Sequence, residues 1–213
     1  MIPNQRIGDP DQVTDQPATR PPGRPRSEAT RIAILDTASS LLENESYSRI
    51  SIERIAAEAK VGKQSIYRWW DSKADVLLEA YVERALKRLP QVRRSDDAFR
   101  DLEALLRGFF SNVRIPTVGK TIRSLIAEAQ HDPEFRVKFH DVFVATRRQM
   151  IREAIIAGIQ SGQFRPELDV EVTIDLIYGA FWHRLLSGNE DSIDDQFAAG
   201  IVAALKPGMA LRK

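Results

Sequence analysis

The sequence predicts an all-α protein: a small three-helix unit at the N-terminal end, followed by a larger helical bundle. Three observations predict it. Apolar residues recur at helical spacing from Ile32 to Leu205, and no stretch holds the two-residue alternation of a strand. Ser, Asp, Gly and Pro stand where those runs should start and stop. Between Ser51 and Lys73 two short runs meet at Lys60-Val61-Gly62, the spacing of two helices joined by a tight turn.

Residues 1–26 are rich in Pro, Asp, Gln, Arg and Thr and lack apolar periodicity, so this arm is expected to stay disordered. It ends in Gly23-Arg24-Pro25-Arg26. Gly-Arg-Pro is similar to the core of an AT-hook, whose arginines enter a narrow minor groove; Pro22 stands where a full hook has Arg. A solvated leader is the other reading of the arm.

Ser27 is the expected cap of a first helix running to Glu43 or Asn44, with Ile32, Leu35, Ala38, Leu41 and Leu42 as its buried stripe. Ser51 caps a second helix that buries Ile52, Ile55, Ala56 and Ala59. Val61 plugs the corner, and Gly62 lets the turn reverse. A third helix over 63–70 turns Ile66 and Trp70 inward and Lys63, Gln64, Ser65, Tyr67 and Arg68 outward. Ser72 and Asp75 cap a fourth, from Lys73 to about Leu89 before Pro90.

Phe99, Leu102, Leu105, Leu106, Phe109, Phe110 and Val113 mark a fifth helix, and Ile122, Leu125, Ile126 and Ala129 a sixth. Asp132-Pro133, a cap followed by Pro at the first helical position, opens a long helix that ends at Gly162. Asp169 opens another, ending near Gly188, and a last helix stops before Pro207. The boundaries expected are an arm over 1–26, a helix-turn-helix domain over 27–72, and a domain over 73–213 for ligand binding and dimerisation.

Composition excludes several classes. There is no cysteine, so disulfides and thiolate metal sites are out. No stretch approaches the roughly 20 apolar residues of a membrane helix, and no apolar run follows N-terminal basic residues. The expected location is the cytoplasm, with no membrane partner. Net charge is +1. It is unevenly spread: ten basic and seven acidic residues between Arg20 and Lys73 give that segment +3 and leave −2 elsewhere. Gln, Ser, Lys, Arg and Tyr on the outer face of the third helix are side chains that reach phosphates and base edges of duplex DNA.

This segment resembles the DNA-binding domain of the TetR/AcrR family of transcriptional regulators. The family run Val-x-x-x-Ser/Thr-Ile/Leu-Tyr-x-x-Phe-x-x-Lys stands here as Val61, Ser65, Ile66, Tyr67, Trp70 and Lys73. The resemblance is specific over about residues 24–82 and architectural beyond. It implies that Ser65, Tyr67 and Lys73 meet backbone phosphate and that Lys63, Gln64 and Arg68 face base edges. Ser51, Arg54, Arg24 and Arg26 complete the expected DNA-binding set. Three positions depart from the family pattern: Lys60 stands for Gly, Gly62 for a capping Ser or Thr, and Glu53 for a basic residue, with Arg54 as a compensating cation.

The resemblance also implies a homodimer built from the last two long helices. Phe181, Leu185, Phe197, Ile201, Ala204 and Leu205 are its expected contacts, because both helices are apolar on more than one face. Phe109, Phe110, Phe139, Phe143, Tyr178, Trp182 and His183 are the candidates for lining an apolar effector cavity. His131, His140 and His183 are too widely spaced in sequence to suggest a metal. No nucleophile motif or phosphate loop is present, so neither an enzyme nor a cofactor is expected. The function expected is a repressor released from an operator by a small apolar or amphipathic effector. The alternative is a DNA-anchored factor that recruits a protein and has no inducer.

Overall fold

Capping chemistry sets the helix starts. In the computed structural model, which describes residues 27–87 and 94–211, Asp and Ser oxygens accept N–H groups from the first turns of α2, α4, α5, α7, α9 and α10. The arm with Arg24 and Arg26, and the Pro90 stop, lie outside the described residues.

The N-terminal unit is α1 (Glu28–Asn44), α2 (Ile52–Glu58) and α3 (Lys63–Tyr67), with a 3-10 turn at Tyr47–Arg49. α1 buries Ile34, Leu35, Ala38, Leu41 and Leu42. Ile32, placed in this stripe by sequence, is 49% exposed. Ile34 takes its place, because it shares a face with Ala38 and Leu41 at i+4 and i+7. Ser27 holds the N-cap position without a side-chain cap bond. α3 is shorter than the expected 63–70. Arg68 is its C-cap, and Trp69 and Trp70 close the turn by donating their N–H groups to the Ile66 carbonyl at 2.9 and 3.1 Å.

α4 (Lys73–Leu86) joins this unit to the body and packs chiefly on α1. The body is α5 (Ala98–Val113), α6 (Pro116–His131), α7 (Pro133–Phe139), α8 (Ala145–Gln160), α9 (Val170–Leu186) and α10 (Asp195–Met209). α5 packs against α8 and α10, α6 packs on α7, and α8 packs on α9. One continuous buried core runs from Ile34 to Met209. Among the described residues, strand-like pairing is limited to one bridge, Phe164 to Ala210.

Two helices differ from the expectation for physical reasons. The long helix opened by Asp132 is interrupted by a π-helical turn, His140–Val144. Phe135, Phe139, Phe143, Ile151 and Ile155 are all buried at four-residue intervals about Arg147. Each such step over-rotates by about 40° in an α-helix, so the row would drift off the core. A π turn inserts an extra residue and takes that rotation back. α10, for its part, continues through Pro207 to Met209. Its end is held from outside: the Arg165 N–H donates to the Met209 carbonyl at 2.9 Å, and the Leu211 N–H to the Gln163 carbonyl at 3.1 Å.

Candidate DNA interface and effector cavity

The corner between α2 and α3 closes differently from the sequence expectation. Gly62 has an ordinary extended conformation (φ −75°), and Lys60 takes the left-handed one (φ 56°). The Val61 N–H reaches back to the Ala56 carbonyl at 2.9 Å, which makes Lys60 the residue where helices usually place Gly. Val61 is partly buried against the core, as a plug should be.

α3 turns Ile66 fully inward, leaving Lys63, Gln64, Tyr67 and Arg68 exposed and Ser65 partly buried. Tyr67 is 53% exposed, so its ring is not a core side chain. Trp70, in the position of the family Phe, is buried, and its indole N–H donates to Glu79 at 2.5 Å. Glu79 also pairs with Arg31, which ties the exit of α3 to both α1 and α4.

Charges around this face are more committed than the sequence suggests. Lys63 Nζ lies 2.8 Å from Glu53. That hydrogen bond, with help from the Glu53 backbone N–H and the Ser51 hydroxyl, holds the Glu53 carboxyl down at about 2. The acid that departs from the family pattern is thus neutralised by Lys63. Arg54 does not supply the compensation, because it is engaged by Glu58 (3.0 Å) and Glu45 (2.5 Å). Ser51 accepts the Arg54 N–H at 3.2 Å as cap.

Lys73 is half-buried. Its Nζ donates to the Tyr47 carbonyl at 3.2 Å and lies 4.0 Å from the Tyr47 ring centroid, and burial lowers its pKa. A cation at the first residue of a helix is thereby led away from the positive end of α4. Burial, with the Glu128 carboxylate of α6 as a second cause, raises the pKa of Tyr47 in turn. A second link joins head and body: Lys138 of α7 bonds Asp75 at 3.0 Å and Asp71 at 3.2 Å, at the start of α4.

A cavity lies in the body, lined from α4, α5, α6, the π turn, α8 and α9. It has ≈ 30 Å³ of free space, room for about two waters. Four of the seven expected lining residues meet there: Phe109, Phe110, Phe143 and Tyr178. Phe139 is buried behind them, stacked on Phe143 at 5.0 Å. Trp182 packs beside Tyr178 and Phe181, and His183 is exposed, so neither lines the cavity. Sequence reasoning missed Tyr81 of α4 and Arg147 of α8. The four-residue row through Phe143 and Ile151 is the signal that places Arg147 inside. The three histidines are exposed, and the described residues hold no cluster suited to a metal.

The stripe expected at a dimer interface faces inward. Phe181, Leu185 and Ile201 are buried within the protomer, and Phe197 and Leu205 are partly buried. Phe110 stacks between Phe181 and Phe197 at 5.4 Å from each. Of the six, Ala204 alone is exposed. The outward apolar residues of α9 are Val172, Leu176 and Leu186, each more than half exposed.

Comparison with known proteins settles the class. Residues 34–80 match the family model for bacterial regulatory proteins of the tetR family, and residues 92–205 match the tetracyclin repressor-like C-terminal domain. The chain belongs to the TetR family of transcriptional regulators. An uncharacterized HTH-type transcriptional regulator of Bacillus subtilis (strain 168), YdeS, is 36% identical over 84% of this chain and 89% of that protein. The crystal structure of the TetR-family regulator SCO0332 superposes with a TM-score of 0.71 at 31% identity, covering 85% of this chain and 99% of that one. FadR of Bacillus subtilis, crystallised with stearoyl-CoA, shares the fold at 20% identity with a TM-score of 0.66, over 83% of this chain and 98% of its own. TetR-family members are transcriptional regulators, and α2–α3 is the helix-turn-helix of this one. No helix among the described residues is long and apolar enough to cross a membrane.

Proposed function

We propose that this TetR-family regulator is a cytoplasmic homodimeric repressor that leaves its operator when a small effector enters the body cavity. Residues 27–72 act as the DNA-binding unit and 73–213 as the sensing and dimerising unit. α3 lies in the major groove, where Lys63, Gln64 and Arg68 address base edges and Ser65 and Tyr67 meet phosphate. Lys73 serves by fixing the Tyr47–Arg49 turn to the start of α4.

One observation carries the effector reading: α4, which lines the cavity, follows directly on the DNA-binding unit and packs against its α1. Tyr81 of α4 lines the cavity, and the same helix begins at Lys73, six residues past α3. With room for only about two waters, the cavity admits an effector only if its walls move apart. An effector therefore favours an arrangement in which α4 has shifted, and α4 carries the recognition unit with it. Lys138, bonded to Asp71 and Asp75, moves with the same wall. Structurally similar regulators have been crystallised with choline and with stearoyl-CoA, which accords with a fold that opens around ligands.

The exposed face of α9 and α10 supplies the dimer contact. Val172, Leu176 and Leu186 are exposed on α9 with Gly179, and Gly200, Ala203 and Ala204 are exposed on α10, small residues that permit close approach.

The test is a footprint on the DNA beside the gene, repeated with candidate effectors. Protection of a two-fold symmetric site that weakens steeply with salt and disappears with effector is the expected result. No protection at low salt refutes the reading. Protection that no small molecule relieves favours the protein-recruiting alternative.

A further inference from the structure

Arg147, Arg148 and Arg152 share α8 but not their surroundings. Arg148 pairs with Asp175 (2.6 Å) and Glu171 (2.8 Å), and Arg152 with Glu171 (2.6 Å). Arg147 lines the cavity and meets no carboxylate among the described residues. Its Nη1 donates to the Phe143 carbonyl at 2.8 Å, and its guanidinium carbon lies 4.0 Å from the Phe143 ring centroid. Tyr81 and Tyr178 line the same cavity from α4 and α9.

A guanidinium keeps its charge at any pH the fold survives. Arg147 is partly buried, and a charge partly withdrawn from water without a counter-charge is unfavourable unless something completes it. Burial already pulls the Arg147 pKa down. Phe143 occupies one edge and one face of the guanidinium. The other N–H groups form a planar fork, the geometry that grips both oxygens of a carboxylate. An aromatic-lined cavity on its own would suit a cation. Here Arg147 already lies over the Phe143 ring and repels a second positive charge.

We infer that the cavity takes a compact apolar carboxylate, its head group paired with Arg147 and its body among Phe110, Ile177 and Phe181. This rests on the effector reading above and narrows it to one ligand chemistry. A carboxylate also gives a reason for the cavity to open, since it supplies the counter-charge the closed state lacks.

Calorimetric titration of the full chain with 4-phenylbutyrate and octanoate, against 4-phenylbutanol, octanol and choline, tests the inference. The acids should bind saturably and about tenfold or more tighter than the matching alcohols, since a hydrogen-bonded charge pair is being formed. Choline should not bind. Arg147→Met should erase the preference for acid over alcohol, Arg147→Lys should retain part of it, and Arg152→Met, whose guanidinium is paired with Glu171 away from the cavity, should leave it intact. Circular dichroism verifies that each variant is folded, and Arg147→Lys carries the test if Arg147→Met does not fold. Equal binding of acids and alcohols, a preference left at full strength by Arg147→Met or by Arg147→Lys, or no binding of either acid overturns the inference. Its failure is separable from that of the effector reading. Alcohols that release operator DNA as well as acids do would remove only the carboxylate assignment, whereas absence of a footprint would remove the regulatory reading and leave the calorimetry unaffected.

Discussion

At the scale of single residues, the helix-turn-helix holds two choices that work against its own stability or affinity. Lys60 sits at φ 56°, a conformation that costs a non-glycine residue roughly 1–2 kcal/mol. Lys60→Gly is expected to stabilise the fold by about 1 kcal/mol, less than the full strain because glycine also loosens the unfolded chain. Urea unfolding measures it, and a destabilised variant would mean that Lys60 is held by a contact worth more than the strain. At Gly62 a Cβ would meet nothing within 4 Å, so the capping Ser usual in the family fits there without cost. The second choice is the Glu53–Lys63 pair, on the exposed recognition face. Its carboxyl, held at about 2, stays ionised at any working pH; the pair is complete above the ordinary carboxylate range and is lost only as pH falls towards 2. On the proposed DNA-contacting face, Lys63 is therefore already paired with an acid. Glu53→Gln should release it, tightening operator binding and steepening the slope of log affinity against log salt by about 1. An unchanged slope would show that Lys63 leaves Glu53 for phosphate unaided.

At the scale of elements, one close approach decides how α8 ends. Gly158 is buried, and a Cβ built on it would lie 2.3 Å from the ring of Phe164, which is itself fully buried. Alanine is favoured over glycine in a helix by about 1 kcal/mol. Overpacking a filled core costs about 1–3 kcal/mol, and here the obstacle is a fully buried ring packed against Phe99. Gly158→Ala should thus be net destabilising, with a lower midpoint in urea; a higher midpoint would show that the ring can move aside. The same element marks how far the sequence could be read. Capping residues located most helix starts, because an Asp or Ser side chain acts within three residues and leaves a local signature. The ends of α3 and α10 were misplaced, because they are fixed by the Trp70–Glu79 bond and by the 163–165 segment, contacts between residues distant in sequence. Within the site, the outward face of α3 was legible from the burial of Ile66. Arg147 was not, since a charged residue on a helix reads as solvated until the π turn is known to rotate it inward.

At the scale of the whole molecule, DNA recognition by one α3 is too short a contact for useful specificity, and a two-fold dimer presents two such helices about 34 Å apart or at an expanded spacing. The apolar residues of α9 and α10 fall into two sets, one buried in the protomer and one exposed, and the proposed dimer contact uses the exposed set. Ile201 is 8% exposed and packs inside the protomer, whereas Leu176 is 56% exposed and faces outward. A charge at Ile201 would be buried in the folded monomer, so Ile201→Asp is expected to unfold the chain and says nothing about assembly. Leu176→Glu leaves the protomer's core untouched. In a symmetric dimer it would bring an unpaired charge to the contact from each copy, at a cost of several kcal/mol. The expected result is a folded monomer, with the wild-type circular dichroism spectrum and half the mass by sedimentation, that has lost most of its operator affinity although α3 is intact. A Leu176→Glu protein that remains dimeric would place the interface elsewhere on the surface. A folded monomer that keeps wild-type operator affinity would sink the dimeric mode of reading DNA, because nothing then remains for a second recognition helix to contribute.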